Sequence, residues 1–151
     1  MTLGEMMTPS PTVARPDDAV HQVARMMRDE DVGSIPIVEA DRLVGIITDR
    51  DIAVKVVAAG LDPRQTLVGD VMSPDPVTGS PQMSEHQALA LMGREQIRRL
   101  PIVEGGRLVG IVSLGDFALE ASEGEQQEEV GSVLEEISEP AAATTWTREG
   151  A

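Results

Sequence analysis

The chain repeats itself at an offset of 65 residues, and this duplication restricts the folds that it can adopt. Residues 7–51 align with residues 72–116 without a gap, and about 18 of the aligned positions are identical. The runs "PIVE" and "RLVGI", which begin at Pro36 and Arg42 in the first copy, recur unchanged in the second. Any fold for this chain must therefore contain the same unit twice.

The first half of each copy predicts a short extended segment, a helix and a strand. Residues 11–18 ("PTVARPDD") are extended, and Asp17 or Asp18 is the predicted N-cap of a helix. In the second copy the predicted cap is Ser84. Apolar residues follow at helical spacing, namely Val20, Val23, Ala24 and Met27 in the first copy and Ala88, Leu91 and Met92 in the second.

The second half of each copy predicts a hairpin followed by a helix. The strands "SIPIV" and "RLVGII" are joined by a tight turn at Ala40–Asp41, where the second copy has Gly105–Gly106. The segment "TDRDIAVKVVAAG" predicts a helix that ends at Gly60, with Ile52, Val56 and Ala59 on one face. Each copy is thus β-α-β-β-α.

One copy alone is too small to bury its helices and its sheet. Two copies packed sheet to sheet around a pseudo-twofold axis would bury both. The predicted division is repeat 1 at 1–60, a linker at 61–70, repeat 2 at 71–120 and an acidic tail at 121–151. A short helix is predicted near 125–138, where Val130, Val133, Leu134 and Ile137 form an apolar stripe.

Charge and composition limit the classes of molecule that the chain is expected to bind. The net charge is −14, and residues 120–151 carry nine acidic residues against the single Arg148. Such a balance repels a polyanion, so a nucleic-acid polymer is not an expected partner. The chain has no Cys and no apolar run of the roughly 20 residues that a membrane helix needs, and its first residues are no signal peptide. No membrane partner and a cytoplasmic location are expected.

The order β-α-β-β-α, the strands "IPIV" and "LPIV" and the G-h-h-[TS]-x-x-D endings resemble the CBS domain over about residues 3–120. A tandem of two such repeats is a CBS pair, or Bateman module. The resemblance implies an α/β fold of the α+β type and a homodimer. It also implies adenosine-type ligands (AMP, ADP, ATP or S-adenosylmethionine) in clefts between the repeats. Residues 48–72 are also similar to part of a stand-alone CBS pair, so the module need not be attached to an enzyme.

Each copy ends its last strand with a T/S-x-x-D motif, formed by Thr48 with Asp51 and by Ser113 with Asp116. A hydroxyl at a helix start suits a phosphate, and an ionised Asp one turn later can accept both hydroxyls of a ribose. The same spacing is also a capping box, in which the Asp accepts from the backbone N–H of the Thr or Ser. A cap can be re-used when a ligand arrives, so both interpretations stay open.

The resemblance implies further cleft residues. Arg50, Arg98 and Arg99 stand where phosphates would pass, unless they serve only surface solubility. Because Arg50 is replaced by Gly115, and Gly33–Ser34 by Arg98–Arg99, the two clefts are expected to differ in affinity. The adenine would contact Thr12, Val13, Gly33, Ser34, Ile35 and Pro36, or Val77, Thr78, Arg98, Arg99, Leu100 and Pro101, and these segments are not assigned to one cleft.

No catalytic constellation appears. His21 and His86 are the only histidines, each is followed by Gln, and neither has the spacing of a metal motif. The predicted function is a non-enzymatic regulatory protein that binds an adenosine nucleotide, without a metal or an obligatory cofactor. The alternative is a ligand-free stress-response interaction or scaffold protein in which T/S-x-x-D is only a helix cap. The acidic tail is expected to respond to the ligand or to dock a protein partner that the sequence does not identify.

Overall fold

The computed structural model describes residues 1–120 and 125–138. Its strands are β1 Thr8–Pro9, β2 Ser34–Glu39, β3 Arg42–Thr48, β4 Ser73–Pro74, β5 Arg99–Glu104 and β6 Arg107–Ser113. Its helices are α1 Leu3–Met6, α2 Val20–Glu30, α3 Asp49–Asp51 with a π-helical continuation Ile52–Val57, α4 Val68–Val71, α5 Glu85–Glu95, α6 Leu114–Glu120 and α7 Glu125–Ser138.

The long helices begin in different ways in the two repeats. Ser84 caps α5 as predicted, because its hydroxyl accepts from the backbone N–H of Gln87 at 3.1 Å. The predicted cap of α2 is wrong: the helix begins at Val20, and Ala19 occupies the cap position without a side-chain bond. The Asp18 carboxylate accepts instead from the backbone N–H of Arg15 at 2.8 Å, so it closes the preceding turn.

The helix predicted after β3 is shorter than the sequence pattern indicates. It ends at Val57, and Gly60 lies beyond it with a φ of 72°. Val56 is fully buried and Ile52 is half-buried, as expected. Ala59 is exposed, so its predicted place on the buried face is wrong, because the helix has already ended there.

The predicted hairpins are present in both repeats with the same register. Ser34 pairs with Thr48 in the first hairpin, and Arg99 pairs with Ser113 at the equivalent place in the second. Each hairpin turn uses two residues with positive φ, at 50° and 65° for Ala40–Asp41 and at 61° and 80° for Gly105–Gly106. This is the turn geometry that matches the twist of an antiparallel pair.

The repeats exchange their opening strands. Strand β1 pairs with β6, and the equivalent β4 pairs with β3, so each repeat completes the sheet of the other. A contact between Arg42 and Arg107 joins β3 to β6, and all six strands form one antiparallel sheet. The extended segment 11–18 stays with its own repeat through a single parallel bridge from Ala14 to Ile37. The α+β class with two related repeats is confirmed.

The hydrophobic cores follow the same exchange. Leu3 of α1 is fully buried in the core of repeat 2, where it packs with α5, β5 and β6. Val68 and Val71 of α4 are buried in the core of repeat 1. Part of the segment predicted as a linker is thus helical, and the two repeats are interlocked.

Candidate functional site

The first T/S-x-x-D motif forms a capping box. The Thr48 hydroxyl accepts from the Asp51 backbone N–H at 3.0 Å, and Asp51 Oδ2 accepts from the Thr48 backbone N–H at 2.9 Å. The other Asp51 oxygen, Oδ1, lies 3.1 Å from Lys55 Nζ, which also donates to the carbonyl of Val71 at 3.1 Å. Asp51 is only 9% exposed. Both of its oxygens are therefore already engaged within repeat 1.

The second motif forms the same box without the lysine. Asp116 Oδ2 accepts from the Ser113 backbone N–H at 2.8 Å, and the Ser113 hydroxyl accepts from the Asp116 backbone N–H at 3.3 Å. The sequence places Glu120 where repeat 1 has Lys55. Asp116 is half-buried, and among the residues whose side chains the structure describes, its carboxylate bonds only to the Ser113 backbone N–H. Both motifs have the capping geometry, but a lysine holds only the carboxylate of the first motif, Asp51.

A cleft of about 250 Å³ lies where the two repeats meet, and we refer to it as the Ser34 cleft. Repeat 1 contributes residues that the sequence analysis selected, and repeat 2 contributes Arg99 and Ile111. Among the cleft residues, the Thr12 hydroxyl donates to Glu30 Oε1 at 2.5 Å. The predicted residues that line this cleft are Thr12, Ser34, Ile35, Pro36 and Arg99.

The Ser34 hydroxyl is the unusual group of this cleft. Ser34 is 9% exposed, and Oγ is the one buried side-chain polar atom without a hydrogen-bond partner in the described part of the chain. An unsatisfied buried hydroxyl costs about 1–3 kcal/mol of folding free energy. Ser34 lines the cleft although Oγ itself is buried, so a rotation about the Cα–Cβ bond would bring the hydroxyl to a polar atom of a ligand.

A second cleft of about 390 Å³ lies next to the start of α6, and we refer to it as the Arg98 cleft. It is lined by Arg98, Arg99, Ser113, Leu114 and Gly115, together with Val130 and Leu134 of α7. Arg99 is common to the linings of both clefts. Two candidate phosphate-binding arginines and a motif serine therefore meet in one place.

The remaining predicted residues lie outside the linings of these two clefts. Leu100 is fully buried in the core of repeat 2, and Val77 packs against that core. Arg50 and Val13 are exposed, Thr78 is half-buried and Pro101 is buried. Thr48, Asp51 and Asp116 do not line either cleft, although Ser113 and Gly115 place the second motif beside the Arg98 cleft. The ligand-binding role of all these residues stays a prediction.

Sequence reasoning missed several lining residues. Glu30 is identical to its repeat counterpart Glu95, which is a signal that could have selected it. Thr8 and Ile111 line the Ser34 cleft only because β1 pairs with the opposite repeat. Val130 and Leu134 have no counterpart in repeat 1, so no internal comparison could place them at a cleft.

The model for the CBS domain family matches residues 3–58 and again residues 68–123. The chain therefore belongs to the CBS domain family and carries two CBS domains in tandem, which confirms the resemblance. It is 44% identical over 134 residues to the CBS domain-containing protein YhcV of Bacillus subtilis, covering 89% of this chain and 93% of that protein. It is 36% identical over 118 residues to Hypoxic response protein 1 of Mycobacterium tuberculosis, covering 78% of this chain and 82% of that protein.

Solved structures show the same fold. The crystal structure of Hypoxic Response Protein I with two coordinated zinc ions is 34% identical, with a TM-score of 0.75, over 81% of this chain and 100% of that one. CBSX2 in complex with AMP is 26% identical, with a TM-score of 0.69, over 79% of this chain and 94% of that one. A hexameric CBS-CP12 protein from bloom-forming cyanobacteria is 26% identical, with a TM-score of 0.69, over 80% and 70% respectively.

Within residues 1–120 and 125–138, no three His, Asp or Glu side chains converge as metal ligands. In the same residues no helix is both long and apolar enough to cross a bilayer.

Proposed function

We propose that this CBS pair is a non-enzymatic regulatory protein that binds an adenosine nucleotide between its repeats. The observation that carries the proposal is the buried, unpartnered Ser34 hydroxyl in a cleft that also contains Arg99 of the other repeat. A ligand that satisfies the hydroxyl and contacts the arginine would bridge the two repeats. The AMP complex of CBSX2, a relative of the same fold, supports this ligand class.

The residues that line the two clefts have the chemistry to bind a nucleotide. The Ser34 hydroxyl can donate to or accept from a ring nitrogen or an exocyclic group of a purine, and Ile35 and Pro36 offer apolar contact. The guanidinium of Arg99 can hold a phosphate through two parallel hydrogen bonds. AMP is the ligand that we place first, followed by ADP, ATP and S-adenosylmethionine.

We further propose that the two motifs have diverged in role. Asp51 is held by Lys55 and by the Thr48 cap, so it serves the structure of repeat 1. Asp116 has only its cap among the described residues, and it stands beside the Arg98 cleft. Its second oxygen is therefore the one that we assign to a ribose hydroxyl.

One observation favours the alternative of a ligand-free interaction or scaffold protein. Both T/S-x-x-D motifs form complete capping boxes, so each motif has a structural role that needs no ligand. Under this alternative Ser34 would be a tolerated defect of packing.

Self-association is part of the proposal. Val54 and Val57 are 52% and 70% exposed on the π-helical segment of repeat 1, and Leu61 and Leu67 lie exposed nearby in sequence. Exposed apolar side chains grouped in this way are typical of an interface. We propose a homodimer that uses this face. The alternative is that a different protein binds there. The cytoplasmic location stays a prediction.

Calorimetric titration of the full chain with AMP, ADP, ATP and S-adenosylmethionine tests the proposal. Asp116→Asn keeps an oxygen for the cap but loses the charge, and Asp51→Asn is the matched control in repeat 1. We expect AMP binding that weakens about tenfold or more in Asp116→Asn, because bonds to a charged acceptor contribute about 1.5–3 kcal/mol. The affinity for AMP should be unchanged in Asp51→Asn. No heat from any of the four ligands would favour the scaffold alternative.

A further inference from the structure

Helix α7 is docked on repeat 2 through both apolar and polar contacts. Val130 and Val133 are buried in the core of that repeat, at 6% and 5% exposure. The amide of Gln96 donates to the Glu136 carbonyl at 3.0 Å, and His86 Nδ1 lies 2.6 Å from Glu129 Oε1. The helix therefore has a defined position against the folded repeat.

Helix α7 passes close to Gly93 of α5. A Cβ added at Gly93 would lie 2.5 Å from Glu136 Oε2 and 3.4 Å from a methyl group of Val133. At the equivalent position, repeat 1 has Arg28 on α2. Repeat 2 thus has no side chain at the place where α7 passes, whereas repeat 1 has a long one.

The same helix forms a wall of the Arg98 cleft. Val130 and Leu134 lie one turn apart and line this cleft together with the arginines and Ser113. Leu134 is 39% exposed, so a large part of an apolar side chain faces open space. A ligand that enters the cleft would cover it.

The helix that supplies Val130 and Leu134 to this wall is also acidic. Helix α7 contains five glutamates and no lysine or arginine. Any anion held by Arg98 and Arg99 lies beside this helix, and each additional negative charge on the ligand increases the repulsion. The volume of about 390 Å³ is near the lower end of the range for small-molecule pockets, which favours a compact ligand.

We propose that α7 is part of the ligand-binding surface of the Arg98 cleft and selects a nucleoside monophosphate over a triphosphate. Leu134 supplies the apolar contact, and the glutamates supply the discrimination by charge. This inference rests on the proposed function and adds residues outside the duplicated region to the site. Because a bound ligand contacts both repeat 2 and α7, ligand binding and helix docking stabilise each other.

The test compares AMP and ATP in calorimetric titrations of full-length variants at one ionic strength. Leu134→Ala should weaken AMP binding about four- to fifteenfold, which corresponds to one or two buried methylene groups. Leu134→Met keeps the side-chain volume and should bind AMP like the wild type. Ser132→Ala is the control, because Ser132 is exposed on the same helix and does not line the cleft.

Charge selection is tested by Glu128→Gln combined with Glu135→Gln. Both residues are exposed and neither makes the contacts described above that dock the helix. The double variant should narrow the preference for AMP over ATP by a few fold, with the AMP affinity almost unchanged.

Two outcomes would overturn the proposal, and only one of them would also reject the proposed function. If the wild type binds AMP, and Leu134→Ala binds it as tightly as Ser132→Ala does, the role of α7 is rejected and the proposed function stays intact. Absence of nucleotide binding by the wild type would reject both.

Discussion

Met7 packs against Gly110 on a strand of the opposite repeat, and Met72 packs against Gly45 in the same way. A side chain at either glycine would collide with the methionine sulfur and lie 3.0 Å from a carbonyl oxygen, that of Thr8 or of Ser73. Each methionine therefore packs against one glycine of the opposite repeat. The duplication makes this contact twice, at the two places where the exchanged strands cross.

Gly110→Ala should lower the free energy of unfolding by about 1–3 kcal/mol, because the added methyl group overpacks the crossing of β1 and β6. Urea denaturation of the full chain measures this loss. Gly131→Ala is the control, since nothing lies within 4 Å of a Cβ at that helical position. Its helix should gain about 0.5–1 kcal/mol. Equal effects of the two variants would contradict the contact.

The hairpin turn of repeat 1 is strained in a way that repeat 2 avoids. Ala40 has a φ of 50°, and its counterpart Gly105 has a φ of 61°. A left-handed conformation costs a residue with a Cβ about 1–2 kcal/mol. Ala40→Gly should therefore stabilise the protein by about 1 kcal/mol after the entropy of the unfolded glycine is counted. Gly105→Ala should destabilise it by a similar amount in the same urea experiment, and a loss of stability in Ala40→Gly would refute the strain.

The sequence predicted the parts of the fold that local patterns encode. The hairpins follow from pairs of strand-like runs that are separated by two turn residues, and Ser84 predicts the start of α5 as its N-cap. The exchange of β1 and β4 was not predictable, because the pattern around Met7 is the same whether the strand pairs with its own repeat or with the other. Likewise, Ala19 at the start of α2 leaves no capping signal to read.

The candidate site was predictable where its residues lie within the duplicated region. Ser34 and Arg99 are counterparts in the duplication, and the structure brings them to one cleft. The position of Leu134 depends on how α7 docks, which is a tertiary property with no local signal. The engagement of Asp51 by Lys55 could have been read from their spacing of four residues on a helix.

Ser34→Ala should separate the effect of the buried hydroxyl on the free energy of unfolding from its effect on AMP binding. Without ligand, removing an unsatisfied hydroxyl should raise the free energy of unfolding by about 1 kcal/mol. With AMP the same variant should bind more weakly, since the ligand loses a partner. Thermal melts with and without AMP measure both effects. Ser84→Ala is the contrasting control, because losing that helix cap should cost about 1 kcal/mol and leave AMP binding unchanged. A destabilised Ser34→Ala without ligand would show that the hydroxyl is already satisfied.

The two motif aspartates should respond differently to truncation. Asp51→Ala and Asp116→Ala each remove the carboxylate half of a capping box, at about 1 kcal/mol. Asp51→Ala also removes the partner of Lys55, whose side chain is 44% exposed, so the additional loss should not exceed about 1 kcal/mol. Paired urea denaturation and AMP titration should therefore find the larger loss of stability in Asp51→Ala and the larger loss of affinity in Asp116→Ala. The reverse order would mean that repeat 1 holds the ligand despite Lys55, and that the divergence of the motifs has been assigned to the wrong repeat.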